Sequence, residues 1–196
     1  MSKKQDILRA AITLFALKGF KDTSITQVAQ MIGVASATVF YHFKNKEELF
    51  MAVLQEVREG IVSESQAYFQ ENEFHTGIDM VEGAVSLYIY LAGIREEWFC
   101  LLHRHHAFKL AETNPLCRRY LEDIYNCLVD IFETALRQGQ RDGSVDSSLS
   151  PRKMALLVLT MVDGIVRLKT DNLYDAGALY NDLILACRRM VANTRN

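Results

Sequence analysis

The chain has 196 residues, 49% hydrophobic and 23% charged, which is enough apolar material for a buried core and excludes a wholly disordered chain. Its two prolines and ten glycines are too few for a loop-rich protein and favour helices. The net charge of −2 excludes a polybasic or polyacidic whole, and the longest largely apolar stretches, Ala84 to Ile94 and Ala155 to Val162, are too short to span a bilayer.

No apolar segment follows Met1 to Asp6, so no signal peptide is expected and a cytoplasmic location follows. Cys100, Cys117, Cys127 and Cys187 lack CxxC spacing and are expected to stay reduced. Charge is uneven along the chain. Residues 1–55 hold seven Lys and Arg against four Asp and Glu, a net of +3, which leaves −5 for the remainder. A basic N-terminal module on an acidic body points to a local polyanion site.

In chain order, Ile7, Leu8, Ala11, Ile12 and Phe15 form a helical stripe over 3–18, closed by Gly19. Ser24 and Gln27 match a capping box, so a second helix starts near Ile25 and stops at Gly33. A third runs from about Ala35 to Phe43. A long fourth carries Leu49, Phe50, Val53, Leu54, Val57 and Ile61. A break at 72–77, with Thr76 as cap and Asp79 three residues on, precedes a helix over 77–93. Arg95-Glu96-Glu97 opens a shorter helix that runs through His106. Asn114-Pro115 reads as N-cap and first turn of a helix ending near Gly139. Asp142-Gly143 is a turn, Ser150-Pro151 starts a helix over 151–169, and Thr170-Asp171-Asn172 separates it from a last helix over about 174–193. No strand pattern of useful length occurs, so the expected fold is all-α.

Residues 25–42 have helix-turn-helix spacing. Val28, Ile32, Val34 and Val39 close a small core, Ala29 permits a close crossing, and Gly33 suits a turn with positive φ. The following helix is free to enter a major groove. Its outward residues Ser36, Ala37, Thr38, Tyr41 and His42 are mostly small or polar, and Tyr41, His42 and Lys46 can reach phosphates.

The string from Ser24 to Phe50, with the Ile7 to Gly19 helix ahead of it, resembles the DNA-binding signature of the tetracycline-repressor (TetR) family. The resemblance covers residues 5–55 and implies a three-helix DNA-binding domain at 1–50, joined by a helix at about 45–70 to a ligand-binding and dimerisation domain at 51–196, with about nine helices in total. It implies base contacts at Ser36, Ala37 and Phe40. It implies mainly backbone contacts at Thr26, Thr38, Tyr41, His42 and Lys46. Two positions depart from the family pattern. Ala35 stands where Ser often caps the recognition helix, and Phe40 stands where Tyr is usual, which favours contact with thymine methyl groups. The implied partners are a palindromic double-stranded DNA operator, a second copy of the chain and a small-molecule effector, with no membrane.

Helix 151–169 is apolar nearly all round and must be covered on every side. A homodimer through this helix and the last one is therefore expected, with Leu156, Leu159, Val166, Leu179, Leu183, Cys187 and Met190 at the interface. Tyr88, Leu91, Trp98, Phe99, Leu102, His103, Tyr125, Val129 and Phe132 are the candidate pocket residues, and such a lining suits an apolar or aromatic effector. Cys100, His103 and His106 follow at i, i+3 and i+6, which opens an alternative in which the chain senses a metal or an oxidant through the Cys100/His103 region. One helix cannot wrap a tetrahedral ion alone, so neither a metal site nor a cofactor is expected. A helical small-molecule binder without DNA binding is a further alternative. HExxH, GxGxxG, P-loop and GxSxG patterns are absent, and Ser150-Pro151-Arg152-Lys153 is explained by helix capping, so the chain reads as a ligand-responsive transcriptional repressor and not an enzyme.

Overall fold

The structure, a computed structural model, describes residues 2–171 and 173–193. Met1 of the leader reading and Asn172 of the last predicted break lie outside the described residues. Ten α-helices and one 3-10 turn follow in order: α1 Lys3–Lys18, α2 Ile25–Met31, α3 Ser36–His42, α4 Lys46–Glu71, α5 Gly77–Ile94, α6 Glu96–His103, α7 His105–Ala111, α8 Pro115–Asp142, α9 Pro151–Thr170, the turn Ala176–Leu179 and α10 Tyr180–Val191. No strand occurs among the described residues apart from one isolated bridge between Val145 and Ala192.

Side chains at the helix ends explain most of these boundaries. Ser24 Oγ accepts the Gln27 N–H while Gln27 Oε1 accepts the Ser24 N–H, and Thr76 and Asp79 exchange the same pair of bonds ahead of α5. Asn114 Oδ1 accepts from the N–H groups of Leu116 and Cys117 and so starts α8. Gly19 ends α1 at φ +81° and Gly33 ends the α2 turn at φ +67°, a region where a Cβ is costly. The helix expected to run from Arg95 through His106 is instead two. Arg104 is extended (φ −71°, ψ 133°) and ends α6 as it begins α7, which accounts for the helix beyond the nine expected. The last predicted helix likewise starts as the 3-10 turn, capped by Asp175.

The chain separates into two compact units, residues 1–60 with 95–124 and residues 61–94 with 125–196. This is a division by packing, and the functional boundary near residue 50 stands as a proposal. In the first unit α1 packs on α2, α3 and α6. Its core holds Ile7, Phe15, Val28, Val39, Leu49, Leu54, Phe99 and Leu101, all essentially inaccessible to water. Phe15, Phe20 and Phe50 meet with ring centroids 5.3–5.6 Å apart, a spacing at which aromatic pairs attract.

The second unit packs α5 against α9 and α10. The first turn of α5 crosses α8 so closely that a Cβ on Gly77 would lie 1.9 Å from the Gly139 nitrogen. Gly77–Ile94 is long and apolar enough to cross a membrane by length and composition, yet 56% of it is buried inside the fold, as in a core helix.

Candidate nucleic-acid interface and effector cavity

The two short helices α2 and α3 pack on each other and on α1. Val28, Ala29 and Val39 face inward and are buried, which turns the opposite side of α3 outward. On that side Ala37, Phe40 and Tyr41 are exposed, Tyr41 at 85% and Phe40 at 51%, while Ser36, Thr38 and His42 are half-buried. Thr26 is exposed in the first turn of α2, and the Ser36 hydroxyl reaches its Oγ1 at 3.4 Å. The structure thus gathers seven of the eight predicted DNA residues on one face or at its edge. As read from the sequence, Ala35 makes no side-chain cap to α3.

Lys46 is the exception. Its ammonium donates to the carbonyls of Phe20 (2.7 Å), Thr23 (2.9 Å) and Lys21 (3.3 Å), and lies 4.3 Å from the centre of the Phe20 ring. An ammonium has three protons, and all three are committed inside the chain. Lys46 thus holds the connection between α1 and α2, an arrangement that competes with the phosphate contact read from the sequence. Thr23, which sequence reasoning missed, supports the same connection from within, its buried hydroxyl lying 2.8 Å from the Gly19 carbonyl and 3.1 Å from that of Leu14.

The nine predicted pocket residues fall in both compact units. Trp98, Phe99, Leu102 and His103 belong to the first unit, where Phe99 and Leu102 are core and the Trp98 indole covers Gly60. Tyr88, Leu91, Tyr125, Val129 and Phe132 belong to the second. There Tyr88, Leu91 and Phe132 close around a void of only about 10 Å³. The Tyr88 hydroxyl donates to Asp163 Oδ1 at 2.5 Å. Burial first, and the carboxylate second, push that phenol well above its ordinary value. Burial pushes Tyr125 up to about 12.

The second unit instead has an apolar cavity of about 450 Å³ between the later turns of α4, the start of α5 and the middle of α8. Ile61, Val62, Phe69, Met80 and Ile131 supply its walls, with Ser65, Gln66, Gln70, Cys127, Asp130 and Thr134 as polar points. The lining has no Lys or Arg. Asp130 pairs with Arg152, which also binds Glu133 at 3.0 Å and Asn126 at 2.7 Å. Sequence reasoning passed over this set because its signal is small polar residues set into an amphipathic stripe, Ser65 below Ile61 on α4 and Cys127, Ile131 and Thr134 on α8.

Cys100, His103 and His106 do not share one helix. His103 ends α6 whereas His106 lies on α7, with its imidazole stacked on Phe20. Among the described residues no group of three His, Cys, Asp or Glu comes together as metal ligands. Burial raises the Cys117 and Cys187 thiols to about 11, which keeps them protonated and poorly reactive.

The predicted dimer residues also divide. Leu159, Val166, Leu183 and Cys187 are buried in the chain's own core, which takes them out of any interface. Leu156 and Leu179 are exposed and Met190 is half-buried. Leu157 and Leu185 join them as outward leucines that the sequence reading left out.

Residues 7–53 match the family model described as bacterial regulatory proteins, tetR family. The chain is 23% identical over 190 residues to the fatty acid metabolism regulator protein of Bacillus subtilis, an alignment covering 93% of this chain and 92% of that one. Among solved structures, a transcriptional regulator from Saccharomonospora viridis in complex with choline superposes with a TM-score of 0.86 at 17% identity, over 97% of each chain. The FadR regulator from Bacillus subtilis in complex with stearoyl-CoA superposes with a TM-score of 0.75 at 21% identity, over 94% of this chain and 97% of that one.

Proposed function

The chain belongs to the tetR family of bacterial regulatory proteins, and from that premise we propose that it represses transcription by docking as a homodimer on a palindromic operator, from which a neutral, apolar small molecule releases it. The exposed face of α3 supports the first half of this reading. Ala37 and Phe40 offer no hydrogen bond, and Ser36 is turned toward Thr26, so base recognition rests on apolar contact with thymine methyl groups together with DNA shape. The cavity carries the second half. Its 450 Å³ falls within the roughly 300–1,000 Å³ of small-molecule sites. Without Lys or Arg in the lining, and with Asp130 already paired, it favours an uncharged apolar body over an anionic one.

The coupling runs along α4. Its later turns line the cavity through Ile61, Val62, Ser65 and Phe69, and its first turn carries Lys46. Half-sites in DNA lie about 34–36 Å apart, so a small displacement of this helix in each protomer spoils simultaneous docking. A ligand acts only through its preference for one of the two states. The fatty acid regulator of 23% identity makes long-chain apolar compounds the first effectors to try. A cytoplasmic location accords with this reading, and no residue is given a catalytic role.

The test is selection of genomic fragments by the purified chain at about 0.1 M salt, then footprinting. The expected result is a protected palindrome whose protection is lost on adding a long-chain apolar compound. In an Ile131→Trp variant, where the indole fills the cavity, protection should persist in the compound's presence. A folded dimer that enriches no fragment would overturn the DNA half. Release unaffected by Ile131→Trp would overturn the cavity half.

A further inference from the structure

The connection between α1 and α2 is held from two sides. Lys46 of α4 takes the carbonyls of Phe20, Lys21 and Thr23. From the other direction, the Arg104 guanidinium donates to the carbonyls of Ala16 (2.7 Å) and Leu17 (3.1 Å), which are left open at the C-terminal end of α1. Two residues on, the His106 imidazole lies flat on Phe20, with centroids 4.0 Å apart and planes 8° apart, and meets Phe50 edge-on at 5.4 Å. Its Nε2 is buried with no hydrogen-bond partner. All of these residues lie within the first compact unit.

We infer that Arg104 and His106 are positioning residues for DNA binding: through Phe20 and the α1–α2 connection they hold the start of α2, and with it Thr26 and Ser36, in the docking geometry while the imidazole is neutral. The inference rests on the DNA-binding reading above. A neutral ring tolerates the flat aromatic stack. A protonated one would place an N–H without an acceptor in a buried position beside an existing cation. The charged and titratable groups facing the ring are Lys46 and Glu47 from α4, Lys21 from the connection and His105 from its own helix. Desolvation lowers the His106 pKa most, Lys46 adds to that, and Glu47 opposes it. The stabilisation from the stacked ring is therefore present above the ordinary histidine value of about 6.5 and is lost as pH falls from there toward the lowered folded value. Protonation drives the ring off Phe20 and loosens the residues that Lys46 and Arg104 hold.

The experiment uses the full chain. Hydrogen exchange reads the protection of the Gly19, Thr23 and Val28 amides between pH 7.5 and 5.5, corrected for the intrinsic pH dependence of exchange. Linkage through one proton limits the loss at pH 5.5 to about ten-fold. Wild type is expected to lose protection by up to about ten-fold, while α5 amides stay level. His106→Phe and His106→Tyr keep a flat ring that does not titrate in this range, and their protection should be independent of pH. The pH dependence of affinity for the fragment that wild type selects at pH 7.5 should differ between wild type and the aromatic variants by the same factor, the contribution of all other groups being common to both. Arg104→Ala should weaken binding at both pH values with the pH dependence kept. Aromatic variants that share the wild-type pH profile would overturn the positioning role alone. A wild-type chain that selects no fragment at pH 7.5 would overturn the DNA-binding reading and this inference with it.

Discussion

Lys46 shows what decides the role of one side chain. A lysine that opens a helix beside a recognition element reads as a phosphate contact, and in an isolated sequence nothing contradicts that. The carbonyls it binds lie 23 to 26 residues earlier, in a connection whose path only the packed module determines. Bonds between residues three apart were legible in the sequence, as with Ser24 and Gln27 or Thr76 and Asp79, because helix geometry alone brings those groups together. The distinction is measurable. Lys46→Ala leaves three loop carbonyls short of a donor and is expected to cost about 1–3 kcal/mol of stability in the absence of DNA, read from urea unfolding. Its DNA affinity falls through lost geometry. The slope of log affinity against log salt should therefore stay at the wild-type value, whereas loss of a phosphate contact lowers it by about 0.9 per contact. The exposed Lys44 is the comparison, and Lys44→Ala is expected to lower the slope.

At the scale of elements, helices were legible wherever a cap or a stripe announced them, and their boundaries fell within a few residues. The division of α6 from α7 was not. Glu96 to Ala111 has no glycine or proline to mark a break. The interruption at Arg104 coincides with a long-range demand, its two bonds to the end of α1. Two substitutions test how much each local device contributes. Ala35 has the extended backbone of an N-cap (φ −70°, ψ 147°) without the side chain to complete it. Ala35→Ser supplies an acceptor for an open N–H of α3 and is expected to stabilise the chain by about 1 kcal/mol, seen as a rise in melting temperature. Gly77→Ala acts in the opposite sense. Its Cβ would lie 1.9 Å from the Gly139 nitrogen, and the obstacle is backbone, which cannot rotate away as a side chain can. A cost of about 3 kcal/mol or more is expected, as a lowered urea midpoint.

For the whole molecule, the hardest reading was which side of an all-apolar helix faces inward. Periodicity cannot choose between Leu156 and Leu159 when every neighbour is apolar, so the sequence reading assigned both to a partner. Packing against α5 and α10 resolves it: Leu159, Val162 and Val166 turn into the core, and Leu156 and Leu157 are left outside. The same limit applied to the candidate effector cavity. A cavity is a place where packing stops, and pattern reports only where apolar residues fall. The outward leucines on α9 give the homodimer proposal its test. About half of the surface of Leu156 and of Leu157 is accessible in the isolated chain, and Leu179 and Leu185 are also exposed. If a second copy covers this face, burying a carboxylate there carries a desolvation cost. Leu156→Asp is therefore expected to give a folded monomer near 22.3 kDa by light scattering at micromolar concentration, where wild type gives roughly twice that mass. Because Leu156 already faces water in the single chain, its melting curve should hold apart from the dimer's contribution. Each monomer then carries one reading module, and affinity for a two-half-site operator falls by about 10²-fold or more as the second contact becomes independent of the first. A variant that stays dimeric would place the interface elsewhere on the surface. A wild type that is monomeric would remove the homodimer and, with it, the need for a palindrome.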